Sequence, residues 1–548
     1  MKLKLHTEYF AITLFFVALA LYINIDQIPL SHPGNIKAAD PFYHTIEAEF
    51  IQETGEWNYY PDWLSQHQQH MMNIQPPLLY MDTVALSLFG DLPVWAVMYF
   101  LTCIAAALSL LFLYLACAEV FEHKMVGVIA VAFAVLPLSL EAWLYGLTIG
   151  FWIQVVGYMF VMAYFWLFIK QWKQHANWHL VLIGVLIAAL LLVHPQDLVV
   201  LAFPTALLIA KRWHETKMWQ STLHTFSVLC AIPFLVFLFL LPRFLHVWNK
   251  LGGQGYFIMY KGFNDIFSKA NLGGFPTPDL TFFPKVVLIA AMIGLLILLR
   301  NWKQYKLWLA STAYFFFMTY GIPVFLASPH YLLRMRALSP FFILPPLAYF
   351  LNSLFVNHLA NKTNLPRMLF AAVICIAAIA WPVQDYRQLT SNAHTSEHIT
   401  SDVWDVFEWM HANTNPSSTI LVLEGGYQES ALYLKRTAAT VPLEELQKKY
   451  DQYAKSNPAV FDPAVHVEWT GRTLRDAETV QDSLFKYHSV KEWGADVRME
   501  DFDYIILMNI PNALIPYNNF VMESLTKEGY AVAYTHGPIG VLQRGASA

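Results

Sequence analysis

The stretch Lys37-Ala-Ala-Asp-Pro-Phe-Tyr-His-Thr-Ile-Glu47 follows shortly after the first apolar run of the chain and carries two acids and a histidine. Pro41 disfavours helical backbone at Asp40, so a helix that arrives from the apolar run ends before this point. The stretch therefore marks the place where an apolar segment gives way to water.

The residues after Pro41 follow a helical pattern. Apolar positions are Phe42, Ile46 and Phe50, and polar positions are His44, Glu47 and Gln52. This spacing predicts an amphipathic helix that lies on a membrane surface. Trp57 and Tyr59 come next, and such aromatic residues are typical of the depth of the lipid headgroups.

The composition supports a membrane setting for the whole chain. Hydrophobic residues make up 57% of the 548 positions and charged residues only 13%, with a mean hydropathy of +0.41. Ordinary soluble domains carry about 25% charged residues. We therefore predict a polytopic α-helical membrane protein surrounded by membrane lipids. The small net charge of −5 argues against a nucleic-acid partner.

Apolar runs near the spanning length of about 17 to 25 residues predict about eleven transmembrane helices. They lie at 9–25, 95–116, 125–140, 147–169, 180–193, 198–209, 226–241, 286–299, 307–327, 337–355 and 368–381. Because the fifth and sixth runs are short, they either cross separately or bend around the His194-Pro195 break as one re-entrant unit.

Basic residues predict the orientation of these helices. With the N-terminus inside the cell, the short inner loops carry compact basic clusters, whereas the outer loops carry fewer basic residues over longer stretches. The positive-inside rule then predicts a multi-pass protein of the cell membrane with its N-terminus inside and its C-terminus outside.

Polar sequence divides the chain into two predicted domains. Two outer loops are long, 26–93 and 242–284, and the chain turns polar after about residue 384. We assign 1–384 to a membrane domain and 385–548 to an extracytoplasmic domain. Within the latter, the patterns predict a helix at 401–413, buried strands at 419–424 and 504–508, and a hairpin at 532–543. These elements indicate a soluble α/β domain.

Two acids are placed at the predicted outer boundary. Asp40 lies in the first outer loop, and Glu141 is the only charged residue between Lys124 and Lys170. Acids on apolar segments are costly, which makes them functional candidates. Together with His44 they are predicted to hold Mg²⁺ or Mn²⁺ against a phosphate, since oxygen ligands suit both ions. The alternative role of Asp40 is to cap the helix that follows.

Further motifs lie in order along the chain. They are Tyr59-Tyr-Pro-Asp62, Gln75-Pro-Pro-Leu78, the arginine loop Tyr331-Leu-Leu-Arg-Met-Arg336 and Trp404-Asp-Val-Phe-Glu-Trp-Met-His-Ala-Asn-Thr414. With Asp40-Pro-Phe-Tyr-His44 and the acid after the third span, this order resembles the catalytic subunit of oligosaccharyltransferase and its archaeal and bacterial single-subunit relatives. Those proteins are GT-C glycosyltransferases.

The resemblance implies roles for individual residues. In that family the first-loop aspartate and the acid after the third span bind a divalent metal, which assigns this catalytic role to Asp40 and Glu141. The family reads its acceptor with a Trp-Trp-Asp-Tyr-Gly motif, and residues 422–427 stand in that place. Glu424 and Tyr427 are the acceptor-binding candidates there, with a weak preference expected for Asn-x-Ser/Thr acceptors.

Three more residues are candidates for the donor phosphate. Arg334 and Arg336 lie one residue apart and are predicted to clamp a lipid diphosphate, the alternative being anchorage to lipid headgroups. His194 is predicted either to contact the phosphate or to satisfy backbone groups at the broken helix ends.

These observations predict a metal-dependent membrane glycosyltransferase. It would transfer a sugar or oligosaccharide, with inversion, from a polyprenyl-(di)phosphate donor to a polypeptide or glycan acceptor on the outer face. Two alternatives stay open. One is a GT-C enzyme that uses a lipid-phosphate monosaccharide and acts on lipid or glycan, and the other is a non-catalytic relative or transporter.

Overall fold

The computed structural model describes residues 7–25, 40–59, 72, 76–135, 152–250, 285–321, 338–359, 401–423, 438–440, 502–507, 525–526, 529–537 and 539–545. Its helices are α1 Thr7–Ile25, α2 Asp40–Thr54, α3 Leu78–Gly90, α4 Val94–Phe121, α5 Lys124–Val135, α6 Trp152–Gln174, α7 Asn177–Val193, α8 Leu198–Thr216, α9 Trp219–Lys250, α10 Lys285–Arg300, α11 Trp302–Phe316, α12 Ser339–Leu359 and α13 Ser401–Asn413. A 3₁₀ turn at Pro195–Asp197 joins α7 to α8, and a π-helical turn at Phe317–Gly321 extends α11.

The apolar helices overlap the predicted hydrophobic runs, although their ends differ by several residues. Helix α9, for example, extends beyond the predicted span 226–241 on both sides. Helix α3 was not predicted and falls inside the proposed first outer loop. Among the described residues, three helices are long and apolar enough to cross a membrane, at Val94–Phe121, Trp152–Gln174 and Trp219–His246. The eleventh predicted span, 368–381, lies outside the described residues, so the predicted count remains a prediction.

Two compact units are formed along the chain. The first comprises Met1–Ile28, Gln75–Pro242 and Gly262–Ser396, and the second comprises Pro29–Ile74, Arg243–Lys261 and Glu397–Ala548. The predicted boundary between residues 384 and 385 lies outside the described part of the chain. The grouping differs from a simple division in sequence, because segments of both predicted long outer loops belong with the C-terminal region.

Helix α6 is the centre of the first unit. Its most apolar window is 83% buried, and it packs against α4, α7 and α8. The corresponding window of α9 is only 22% buried and leaves Phe234, Leu235 and Phe239 exposed, as expected of a peripheral helix that faces lipid.

Small and aromatic residues make this packing possible. A β-carbon at Gly294 of α10 would overlap the carbonyl of Pro346 in α12, so glycine is required for the two backbones to approach. Stacked rings fill the space between α6, α11 and α12. Phe315 and Phe342 lie face to face with centroids 4.1 Å apart, and Phe165 meets Phe342 edge-on at 5.4 Å.

The second unit contains α2, α13 and a five-stranded sheet. The strands are β1 Ile420–Leu423, β2 Ala438–Thr440, β3 Tyr504–Leu507, β4 Tyr530–His536 and β5 Ile539–Arg544, arranged in the order β2-β1-β3-β5-β4. The pairs β1–β2 and β1–β3 are parallel, whereas β3–β5 and β4–β5 are antiparallel. The predicted helix at 401–413 coincides with α13, and both predicted strands and the hairpin are present.

Helix α13 packs against the hairpin. The Trp409 ring stacks on Tyr534 of β4, with centroids 4.5 Å apart and an interplanar angle of 3°. Val403, Val406, Phe407 and Met410 form the buried face of the helix. The hydrophobic spacing of the sequence produces this face, because these four positions fall on one side of a helix.

Candidate functional site

The turn between α7 and α8 brings together a histidine and an acid. Helix α7 ends at Val193 because the following His194 precedes a proline and leaves helical geometry, with φ −149° and ψ 81°. Pro195 then starts the 3₁₀ turn, where its missing N–H is tolerated. His194 and Asp197 thus come to the same side of the turn, with His194 Nδ1 3.1 Å from Asp197 Oδ1.

Asp197 is fully buried, whereas the His194 side chain keeps 14% of its exposure. Apart from the ion pair with His194, neither carboxylate oxygen of Asp197 has a hydrogen-bond partner in the described part of the chain. A buried acid without hydrogen bonds is costly unless its charge is compensated. Within the described part of the chain, His194 Nδ1 is thus the side-chain atom placed to pair with the Asp197 carboxylate.

Helix α6 makes room for this pair. Gly157 faces the turn, and a β-carbon there would overlap Asp197 Oδ2 and lie 3.2 Å from the His194 β-carbon. Glycine at this position lets the turn pack directly onto the α6 backbone. The sequence prediction named His194 but did not anticipate that Asp197 and Gly157 would enclose it.

Helix α2 begins at Asp40, with Pro41 in its first turn, two residues before the helical pattern that the sequence shows from Phe42 onward. Phe42 and Ile46 are buried as expected, and His44 keeps intermediate exposure. The predicted polar position Glu47 is in fact fully buried. Helical periodicity indicates which face of α2 is polar but not whether that face is covered.

Arg243 is a second buried charge that sequence reasoning missed. Only 7% of it is exposed, and its guanidinium carbon lies 3.6 Å from the centroid of the Trp57 ring. One of its terminal nitrogens donates to Asn58 Oδ1. Trp57, which the sequence predicts as an interfacial aromatic residue, is buried and contacts the Arg243 guanidinium. The sequence signal is the basic residue inside the apolar run Leu240-Leu-Pro-Arg-Phe244.

Five predicted site residues lie outside the described residues: Glu141, Arg334, Arg336, Glu424 and Tyr427. For Asp40 the backbone is described but not the side chain. Within the described segments, no group of three or more His, Cys, Asp or Glu residues is arranged to hold a metal ion. The metal site at Asp40, His44 and Glu141 thus stays a prediction.

Solved structures with a similar fold indicate the class of protein to which this chain is related in fold. The archaeal oligosaccharyltransferase AglB from Archaeoglobus fulgidus, solved with an inhibitory peptide and a dolichol-phosphate, aligns with a TM-score of 0.53 over 91% of this chain and 69% of its own. ArnT from Cupriavidus metallidurans in the apo state aligns with a TM-score of 0.50 over 96% of this chain and 97% of its own. Both are 14% identical in sequence.

The chain has the GT-C glycosyltransferase fold. A further structure of the Archaeoglobus enzyme, in complex with Zn and sulfate, aligns with a TM-score of 0.52, 14% identity, and coverage of 90% of this chain and 67% of that one. Neither a protein-family model nor a curated sequence matches the chain. The resemblance read from the motifs is thereby confirmed at the level of fold.

The similarity to AglB is not confined to the membrane helices. The alignments cover more than 90% of this chain, which is more than its membrane helices comprise. The two neighbours differ in the share of their own length that this chain covers. This GT-C chain spans almost all of ArnT but about two thirds of AglB.

Proposed function

We propose that this protein is a membrane glycosyltransferase that transfers a sugar or oligosaccharide from a polyprenyl phosphate or diphosphate to an acceptor outside the cytoplasm. The observation that carries the proposal is the alignment with AglB over 91% of the chain, since that AglB structure contains both a dolichol-phosphate and a peptide. The chain also retains an acid, Asp40, at the start of the helix that follows its first span.

The transfer breaks the bond between the anomeric carbon of the sugar and a phosphate oxygen, which keeps the electron pair. A new bond forms between the anomeric carbon and the acceptor nucleophile, whose proton passes to a base. The departing phosphate gains negative charge, so preorganised positive groups lower the barrier. In this proposal Arg334, Arg336 and His194 contact the donor phosphate.

His194 is suited to that role by its partner. With Nδ1 of His194 directed at Asp197, the second ring nitrogen can donate to a phosphate oxygen. Asp197 is thus a positioning residue, which acts through the histidine. The buried carboxylate also fixes the ring orientation, because rotation would leave its charge uncompensated.

A divalent cation, Mg²⁺ or Mn²⁺, is part of the proposal. Asp40 and Glu141 are the residues that would hold it, with His44 as a further candidate, and carboxylate oxygens are the ligands that both ions prefer. When bound, such a cation stabilises negative charge on the leaving phosphate. The Zn in one Archaeoglobus structure supports a metal site in this fold without indicating which ion acts here.

Release of the lipid product tests this proposal. Purified protein given a lipid extract of its source and Mn²⁺ or Mg²⁺ should release polyprenyl phosphate or diphosphate. We expect Asp40→Asn to abolish release, whereas Glu53→Gln, which alters an exposed acid on the same helix, should leave it unchanged. Release that resists both a chelator and Asp40→Asn would refute the metal-dependent mechanism.

A second candidate differs in the acceptor. The replacement of the family's Trp-Trp-Asp-Tyr-Gly motif at residues 422–427 favours a GT-C enzyme that modifies a lipid or glycan, and the ArnT alignment covers nearly all of both chains. Labelled donor offered to peptides and to membrane lipids in parallel distinguishes the two. Label in peptide supports the first candidate, and label only in lipid or glycan supports the second.

A further inference from the structure

A basic cleft lies at the end of the helices opposite to the His194 turn. It forms where the α6–α7 turn meets the α8–α9 turn and is lined by residues of all four helices. Helix α7 separates it from His194 by about 25 Å, at 1.5 Å per residue. The cleft is therefore distinct from the proposed donor site, and all its lining residues belong to the first unit.

The lysine of the cleft is held by its neighbours. Lys211 Nζ lies 4.4 Å from the centroid of the Trp172 ring and donates to the Trp172 carbonyl. It also lies 3.5 Å from Glu215 Oε1 and 3.2 Å from His175 Nε2. Glu215 compensates the positive charge of Lys211, and its Oε1 also lies 3.7 Å from His175 Nε2.

The arginine of the cleft is not compensated in this way. Arg212 donates through Nε to Ser221 Oγ at 2.8 Å, and no acid in the described segments forms an ion pair with it. Its terminal nitrogens carry four N–H groups in the planar arrangement that suits phosphate oxygens. The cleft thus presents a preoriented guanidinium with unused donors.

A buried amide provides a second, independent indication of a ligand. Gln171 lines the cleft, is only 7% exposed, and has no hydrogen-bond partner for its Oε1 among the residues described. An unsatisfied buried amide is costly. Since rotation about its last bond exchanges oxygen and nitrogen, the same side chain can offer N–H donors to a ligand.

The surroundings indicate where such a ligand comes from. Trp178, Trp213 and Trp219 are all about half exposed on the turns around the cleft, at 55%, 44% and 65%. Exposed tryptophans at the ends of apolar helices are characteristic of the membrane–water interface. A phosphate reaching the cleft at this depth is therefore that of a lipid headgroup.

We propose that the cleft formed by Gln171, Lys211, Arg212 and His224 binds the phosphate of an anionic lipid headgroup, in the leaflet opposite to the His194 turn. Arg212 and Gln171 donate to the phosphate oxygens, while Lys211 and His224, which also line the cleft, supply further donors. The site is independent of sugar transfer and does not rest on the function proposed above.

Lipid binding to the full-length purified protein tests this site. Short-chain phosphatidic acid should be retained in native mass spectrometry and should raise the melting temperature, whereas phosphatidylcholine should do neither. We expect Arg212→Gln to weaken retention at least about tenfold, since a charge-assisted contact is lost. Arg300→Gln, which removes an exposed arginine from the last turn of α10, should have no effect.

Two additional measurements keep the test decisive. Gln171→Leu retains the net charge and should weaken retention several-fold, so it applies even where Arg212→Gln fails to give a monodisperse protein. Inorganic phosphate should not displace the lipid or match its effect on melting. Three outcomes would each overturn the proposal. They are lipid retention by Gln171→Leu equal to that of wild type, a loss of retention with Arg300→Gln equal to that with Arg212→Gln, and a rise in melting temperature with inorganic phosphate equal to that with the lipid.

Discussion

The Gly157 backbone packs against the Asp197 carboxylate, and a β-carbon at position 157 would overlap Asp197 Oδ2 unless that carboxylate moved. The contact joins the middle of α6 to the turn between α7 and α8. Because Asp197 is fully buried beside His194, the position of the carboxylate depends on this glycine.

Substitution of this glycine should disturb the pair. We expect Gly157→Ala to destabilise the protein by about 1–3 kcal/mol, as overpacking does, and to reduce transfer activity. Thermal unfolding in detergent measures the first effect. Gly90→Ala is the matched control, because a β-carbon there meets the flexible Leu92 side chain at an ordinary 3.4 Å. Equal melting temperatures for both variants would contradict the packing argument.

The contributions of His194 and Asp197 to stability should prove interdependent. His194→Ala leaves the fully buried Asp197 carboxylate without its partner, and because His194 keeps 14% exposure we expect a cost below the ~3–5 kcal/mol of a fully buried pair. We therefore expect the double variant His194→Ala/Asp197→Ala to melt at a higher temperature than His194→Ala alone. A double variant at least as unstable as the sum of the single ones would show that the two side chains act separately.

Arg243 and Trp57 should be linked by their stacked geometry. Trp57→Leu keeps an apolar side chain but removes the cation–π contact, for which we expect a loss of up to about 2 kcal/mol. Arg243→Lys should also destabilise, because an ammonium cannot both stack on Trp57 and reach Asn58. Arg300→Lys provides the exposed control, and thermal unfolding of the three variants decides the matter.

The stacking of Trp409 on Tyr534 should hold α13 against the hairpin. Trp409→Leu is expected to cost about 1 kcal/mol beyond the lost burial and to increase amide exchange in β4 and β5. Hydrogen exchange followed by mass spectrometry reports this directly. Trp404→Leu changes the same residue type on the same helix, where the indole instead donates to Glu408. Similar exchange in both variants would argue against a specific role for the stack.

The acceptor preference provides a further prediction. Leu423 and Gly425 stand where the resembled family places a tryptophan and a tyrosine, which reduces the wall and donor needed to recognise a hydroxyl. We expect Asn-x-Thr peptides to be preferred over Asn-x-Ala peptides by less than about tenfold, or ~1.4 kcal/mol. Competition between the peptides in a transfer assay measures the ratio, and a strong Thr preference would mean that another element forms the pocket.

Local signals in the sequence were sufficient for many elements. The bounds of α13 and the break between α7 and α8 at His194-Pro195 follow from hydrophobic spacing and proline geometry, which act over a few residues, and α2 begins within two residues of its predicted start. The order of motifs along the chain was sufficient to predict the GT-C fold, because it samples the whole length.

Only the tertiary structure decided which polar groups are buried and which residues they contact. Asp197 meets Gly157 forty residues away, and Arg243 lies over Trp57 and Asn58, the latter 185 positions apart from it in sequence. Glu47 illustrates the same limit, since helical periodicity shows which face of α2 is polar but not whether another segment covers that face. Burial of a charge depends on contacts between distant segments, and those are set by how the helices pack, which no local pattern encodes.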